Sequence, residues 1–345
     1  MNLEKKLTGR PVKASVPCRV DFGGTLDIST LYLPMNRLKP SSVNIALDMR
    51  THVTLSPYKT GRVKISSKGF ETAEFERGRA PFCHPMGLMF SVAQYFDVHG
   101  VHIHIESTSP PRSALGGSSS AAVAIIAALS TAMEKPVEPA SAAWLAHYLE
   151  ASVAGVPCGV QDQLAAAFGG VNQWTWKMGQ TAPEFDREIL IGTGDAADEA
   201  PDKAISDFNS HILVAYCGIP HESKDINSRW VKSFVDGGSR DAFKTVVELT
   251  HGFAAAVRDR NFGEAVRLMN EETRVRLGLT PDVLDETGKD LFRAAEETDC
   301  GARFTGAGGG GCIWAIGTKT DIEKLRPIWH NILNLIEDAK ILDTK

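Results

Sequence analysis

The sequence predicts an α+β fold in two lobes. Three observations carry this reading. Strand-like segments come in runs with helical patterns grouped between them, which disfavours a doubly wound parallel sheet. Residues 177–210 are acidic, poor in large hydrophobes and interspersed with Gly, Ala and Pro, as a junction between lobes is. Beyond them, four long helical patterns lead into a strand, a glycine loop and a second strand at 300–317. The boundary is set at 200/201, giving lobes of residues 1–200 and 201–345.

The elements follow in order. Residues 14–28 read as a strand entering a Gly-Gly turn, and 43–57 alternate as strands do. Residues 63–75 read as a short strand or hairpin, 82–96 have helical spacing, and 101–107 (VHIHIES) alternate with period two. Residues 118–134 are alanine-rich and apolar on most faces, the pattern of a buried helix. Further helices are expected at 141–153 and 160–168. After the junction come a buried strand at 211–216 and helices at about 223–236, 240–258, 262–277, 281–298 and 320–337.

Composition excludes several classes. The 345 residues are 43% hydrophobic and 23% charged, which supplies a packed core and rules out wholesale disorder. With 37 basic and 42 acidic residues the net charge is −5, a poor balance for wrapping nucleic acid or lying on anionic lipid. The six cysteines form no C-x-x-C pair, and the first fifteen residues have no apolar core of a signal peptide. The longest apolar run, 121–129, is far short of the ~20 residues that span a bilayer. A cytoplasmic protein is expected, with no nucleic-acid or membrane partner.

The segment STSPPRSALGGSSSAAVAIIAAL (107–129) carries the most chemistry. It places Gly116 and Gly117, then Ser118, Ser119 and Ser120, where a helix begins. Unbonded N–H groups and the helix dipole make such an end an anion site, and serine hydroxyls add hydrogen bonds or a magnesium ligand. No Lys-Ser or Lys-Thr follows the glycines, so this is not a Walker A loop. A second cluster, FTGAGGGGCIWAI (304–316), concentrates glycines where something must need their backbone freedom: packing against the glycine–serine loop, a phosphate contact, or a tight turn or bulged hairpin.

Acidic residues come next. Asp162 lies between two glutamines in GVQDQLAAAFGG, and reads either as a helix cap or as a partly buried catalytic carboxylate. Glu150 shares its helical stripe with Ala143, Ala146 and Ala154, which allows an inward place, but a lone helical Glu reads from sequence alone as a solvated face. In SVPCRVDFGGTLDIS (15–29), Arg19, Asp21 and Asp27 surround Gly23 and Gly24, presenting polar groups to a polyol or closing a salt-bridged strand end. His102 and His104 read as the polar face of a strand, and Trp174 and Trp176 as strand packing. His221, Lys224 and Arg229 read equally as a helix start and as phosphate contacts.

Taken together, VPCRVDFGGTLD (16–27), PPRSALGGSSSAA (110–122) and FTGAGGGGC (304–312) resemble, in order, the three motifs of the GHMP kinase superfamily. The resemblance spans about residues 14–318. Within the superfamily the Q-D-Q segment with its trailing Gly-Gly is similar to the sugar kinase branch containing D-glycero-D-manno-heptose-7-phosphate kinase. Fucokinase-like proteins share this Q-D-Q. The second motif has Ala114 where a glycine is usual, and an additional serine, Ser120.

The resemblance implies a two-lobed kinase fold with nucleotide and substrate in the cleft between lobes, and ATP and Mg2+ as cofactors. Leu115, Gly116, Gly117, Ser118, Ser119 and Ser120, with Gly308 and Gly309, are implied as nucleotide-binding. Ser119 and Glu150 are implied as magnesium ligands, with the choice among Ser118, Ser119 and Ser120 open by one position. Asp162 is implied as general base, with Arg19 beside it in the catalytic set. Asp27, Gly24 and Thr25 are implied at the acceptor, with Asp21 as the alternative to Asp27. The expected reaction is phosphoryl transfer to a hydroxyl of a sugar or sugar phosphate, heptose or heptose 7-phosphate foremost. Galactose, fucose or mevalonate are the alternative acceptors, and a non-catalytic sugar and ATP sensor is the alternative function. A homodimer is allowed.

Overall fold

The structure is a computed structural model. It describes residues 1–155, 157–180, 182–192, 201–220 and 223–344, without the side chains of 154, 201–203 and 223–225. Strands β1 (Val12–Phe22), β2 (Ser41–Pro57), β3 (Arg62–Ser67), β4 (Ala73–Glu76), β5 (Val101–Ser107), β6 (Val171–Met178) and β7 (Pro183–Ile191) form the first sheet. Its order is β4-β3-β5-β2-β6-β7, with β1 paired to β2. The second sheet is antiparallel, in the order β11 (Lys340–Leu342), β8 (Ile212–Tyr216), β10 (Cys312–Ile316), β9 (Gly301–Phe304).

Helices α1 (Glu4–Leu7), α2 (Ser29–Tyr32), α3 (Gly87–Tyr95), α4 (Gly117–Ala132), α5 (Pro139–Ala154) and α6 (Gln161–Phe168) accompany the first sheet. Helices α7 (Pro201–Asn209), α8 (Ser223–Val235), α9 (Arg240–Arg258), α10 (Phe262–Leu279), α11 (Glu286–Glu297) and α12 (Lys319–Leu333) follow β7. The two-lobed α+β expectation is met. Among the described residues no helix is long and apolar enough to cross a membrane.

Strand β2 organises the first lobe. Residues 43–57 form one strand that begins at Ser41, pairing with β1 along one edge and with β6, then β5, along the other. Register slips at Pro17, which has no N–H to give to the ladder. The slip frees the N–H of Arg19 to bond the carbonyl of Leu115 at 3.2 Å. The first and second motifs are thereby tied together.

Helix α4 packs on β1 and β2 and is covered by α3, α5 and α6. Its Ile125, Ile126 and Leu129 are fully buried, each contributing roughly 1.5–3 kcal/mol of hydrophobic stabilisation. That burial fixes where the N-terminus of α4 points.

The expected junction holds more structure than its composition indicated. Strand β7 pairs with β6 in the first sheet, and α7 packs against β7. The 200/201 boundary adjoins residues 193–200, which lie outside the described residues. Core residues of both lobes join there: Phe208 of α7 clusters with Val20 and Phe22 of β1 and with Phe253 and Trp314.

Candidate active site

A cleft of about 380 Å3 runs between the lobes, within the usual range for small-molecule sites. Its floor is the start of α4. Gly116 precedes the helix with φ 74, a left-handed conformation natural to glycine. Gly117, Ser118 and Ser119 are the first three helical residues, whose N–H groups have no carbonyl one turn earlier. They line the cleft, as does Gly116. The resulting positive end suits phosphate oxygens.

Two expected members of this loop do otherwise. The hydroxyl of Ser120 hydrogen-bonds Thr51 at 2.9 Å inside the core, and its N–H donates to the Gly116 carbonyl. Its place on the helix turns it toward the sheet, so it is not a cleft residue. Leu115 is fully buried and shapes the loop from behind, its carbonyl held by Arg19. Ala114 sits at φ 61, a conformation unfavourable for any residue with a Cβ.

Ser119 points at Glu150. Its hydroxyl donates to Glu150 Oε2 at 2.8 Å, and Gln163 Nε2 donates to the same oxygen at 2.6 Å. Burial pushes the Glu150 carboxyl up to about 7; donation from Ser119 and Gln163 opposes this, and the Asp162 charge adds to it. The inward placement of Glu150 corrects the solvent-facing reading of its helix.

Asp162 is in the first turn of α6, and its side chain is 26% exposed, open to the cleft. Arg19 holds it with Nε at 2.9 Å and Nη2 at 2.7 Å from Oδ1. Arg19 Nη1 donates to the Ala114 carbonyl at 2.7 Å. Burial works against the Arg19 charge, but the Asp162 and Asp21 carboxylates outweigh it and keep the guanidinium protonated. Arg19 therefore joins the glycine–serine loop to Asp162.

Asp27 reaches the same cleft from the turn after β1. Its Oδ2 accepts from the Gln161 N–H at 3.0 Å, a carboxylate at a helix N-terminus. Gly159 makes room for it, because a Cβ there would lie 1.7 Å from that oxygen. Burial is the main cause that pushes the Asp27 carboxyl up to about 7. Thr25 also lines the cleft, at φ 73, whereas Gly24 presents its carbonyl to Arg276. Asp21 is fully buried and turned toward Arg303 and the Gly306 N–H, so Asp27 and not Asp21 faces the cleft.

The second glycine cluster contributes Gly306 and Ala307 to the cleft wall. Gly308 and Gly309 do not line it. A Cβ on Gly308 would meet the Val283 side chain at 2.5 Å and its carbonyl at 2.6 Å, and one on Gly309 would meet Ile226 at 2.5 Å. Their N–H groups bond the carbonyls of Thr305 and Val283. The missing Cβ of each glycine is thus taken up by close packing against Val283 and Ile226.

Sequence reasoning missed the apolar part of the cleft lining, to which Phe70, Pro85, Met89 and Ile105 contribute. It also missed Gln163 as the partner of Glu150. The second glutamine of Q-D-Q was the available signal. Trp174 and Trp176 are core residues. His102 and His104 share the hydroxyl of Ser66 on the strand face. Arg229 pairs with Asp282, while His221 and the Lys224 side chain lie outside the described residues. Among the described residues, no three His, Cys, Asp or Glu gather as a metal cluster.

Fold and cleft together define a two-lobed α+β protein in which an open helix N-terminus and the carboxylates of Asp27, Glu150 and Asp162 line one cleft. The GHMP kinases N terminal domain matches residues 86–170 and the GHMP kinases C terminal domain matches residues 253–334. The chain belongs to the GHMP kinase family, whose members are ATP-dependent kinases of sugars, mevalonate and related small molecules. It is 25% identical over 339 residues to a mevalonate kinase of Thermococcus sibiricus, covering 90% of this chain and 91% of that protein. It is 21% identical over 317 residues to the D-glycero-alpha-D-manno-heptose 7-phosphate kinase of Campylobacter jejuni, covering 88% and 89%. The Methanococcus jannaschii mevalonate kinase structure superposes with a TM-score of 0.70 at 16% identity, over 95% of this chain and 96% of that one, a likeness of fold.

Proposed function

We propose that the protein transfers the γ-phosphoryl group of ATP to a hydroxyl of a small polyol, a heptose or heptose 7-phosphate foremost. One observation carries the reading: a single cleft collects the open N-terminus of α4, the Ser119–Glu150 pair and Asp162 held by Arg19. Phosphoryl transfer needs positioning and charge neutralisation more than covalent chemistry, and these groups supply both.

The N–H groups of Gly117, Ser118 and Ser119 bind phosphate oxygens. The apolar part of the lining, with Phe70 and Met89, takes the adenine ring and keeps water from it. Asp162 accepts the proton of the acceptor hydroxyl, and the two N–H groups of Arg19 fix which of its lone pairs stays free to do so. Asp27 orients the acceptor by accepting from a second hydroxyl.

Ser119 and Glu150 fit Mg2+. Both offer oxygen, and Mg2+ takes one or two protein ligands and fills its shell with phosphate and water. When bound, the ion neutralises charge on the phosphates.

The test is coupled ADP release with Mg-ATP against mannoheptose, its 7-phosphate, galactose, fucose, mannose and mevalonate. A strong response to the heptose compounds is the expected result. A response to mevalonate alone favours the second reading, which the likeness to mevalonate kinases supports. ATP and sugar binding with no ADP formed would leave a sensor.

A further inference from the structure

Three charged side chains meet beneath the cleft with no exposure to solvent: Glu272 and Arg276 on α10, and Arg303 on β9. Glu272 is shared between the other two. Its Oε1 accepts from Arg276 Nε at 2.8 Å and its Oε2 from Arg303 Nε at 2.9 Å. Burial opposes the Glu272 charge, but the two guanidinium groups outweigh it and keep the carboxylate ionised.

Each arginine then reaches a different part of the first lobe. Arg276 donates to the Gly24 carbonyl at 2.8 Å and to the Thr25 hydroxyl at 3.1 Å. Arg303 donates to Asp21 Oδ2 at 3.1 Å. Asp21 in turn accepts from the Gly306 N–H at 2.6 Å and pairs with Arg19 at 3.4 Å, and Arg19 holds Asp162. One carboxylate thus anchors two branches, the turn carrying Thr25 and the series Arg303, Asp21, Arg19, Asp162.

We infer that Glu272 is a positioning residue, holding the acceptor turn and the Arg19–Asp162 pair in one register across the two lobes. This rests on the kinase reading above. Stability alone is a weak reason for such a cluster, since desolvation offsets the attraction and well-packed apolar replacements are often as stable. Direction is what an apolar core lacks. Thr25, a β-branched residue at φ 73, keeps that conformation because its surroundings over-determine it, and Arg276 is one of them.

Glu272→Gln tests this. It keeps the shape but leaves two guanidinium groups sharing a neutral amide. The folded variant is expected to show an acceptor KM raised about tenfold or more and kcat lowered about tenfold, with the ATP KM changed less than about threefold. Amide hydrogen exchange at 23–27 and 305–307 quickens at least about tenfold, while α4 keeps the parent's protection. Arg276→Lys cuts one branch alone and quickens 23–27 but not 305–307, so it decides the matter where Glu272→Gln does not fold. Parent-like kinetics, equal rises in the acceptor and ATP KM, or uniform exchange would overturn the inference. If the parent phosphorylates nothing, the kinase reading fails by itself. The exchange pattern then still decides whether Glu272 holds the two branches.

Discussion

Asp27→Asn removes a buried negative charge and keeps an oxygen on the Gln161 N–H. Burial holds the Asp27 carboxyl at about 7 against an ordinary 3.8, with the Gln161 N–H pulling it down and the Asp162 and Asp21 charges adding to the rise. The folded protein therefore binds this proton more tightly than the unfolded chain. That contribution to stability is complete below about pH 4 and is lost as pH rises through about 7. Asparagine has no proton to lose. About three pH units at about 1.4 kcal/mol each put the cost of ionised Asp27 on the order of 4 kcal/mol above pH 7. The variant is expected to be more stable than the parent by that order at about pH 8 and by roughly 1.5–2 kcal/mol at about pH 5. Thermal or urea denaturation across that range reads the gap, as several degrees in Tm widening with pH. The acceptor KM rises meanwhile, because an amide accepts from a hydroxyl more weakly than a carboxylate does. A gap that is flat with pH, or a variant less stable at pH 8, refutes the reasoning.

Other substitutions probe the remaining parts. Asp162→Asn is expected to fold and bind ATP but turn over at least ~100-fold more slowly in ADP release, the lower end for a lost general base; near-normal turnover removes Asp162 from the chemistry. Gly308→Ala puts a methyl 2.5 Å from the Val283 side chain at φ 74, and is expected to cost about 2–3 kcal/mol in denaturation while leaving ATP affinity alone. Lost ATP affinity at full stability would assign Gly308 to the nucleotide. Ala114→Gly relieves a left-handed alanine and gains about 0.5–1 kcal/mol net of the added freedom of the unfolded chain, seen as a raised Tm.

The local parts of the molecule were legible in the sequence. Helix α4, strand β5 and helices α9 and α10 lie where periodicity put them, because burial of one face dictates their residue pattern. The loop before α4 was legible because glycines and serines follow one another where that helix begins. What failed were questions about which face turns where. Ser118, Ser119 and Ser120 are alike in sequence, yet the helix rotates about 100° per residue, so Ser119 meets Glu150 while Ser120 meets Thr51. At Gly308 and Gly309 the need for a missing Cβ is visible and the group that needs it gone is not. Glu272 and Arg276 have the spacing of an ordinary surface pair, and nothing near them announces Arg303.

Asp21 also sets an order of events as the chain is made. Apart from Arg19, the groups that meet its carboxylate lie 282 and 285 residues further along, at Arg303 and Gly306. At roughly 5–20 residues per second, a ribosome takes about a quarter of a minute to a minute to supply them. Until then, closing the turn after β1 would bury a charge with its chief partners missing, which is strongly unfavourable. A nascent first lobe can pair β1 with β2 early, since both are close in sequence, but must leave Asp21 wet. The wall of the cleft at Gly306 and Ala307 is therefore among the last parts to leave the ribosome, and a chain that stops short of residue 303 lacks both Arg303 and Gly306 as partners of Asp21.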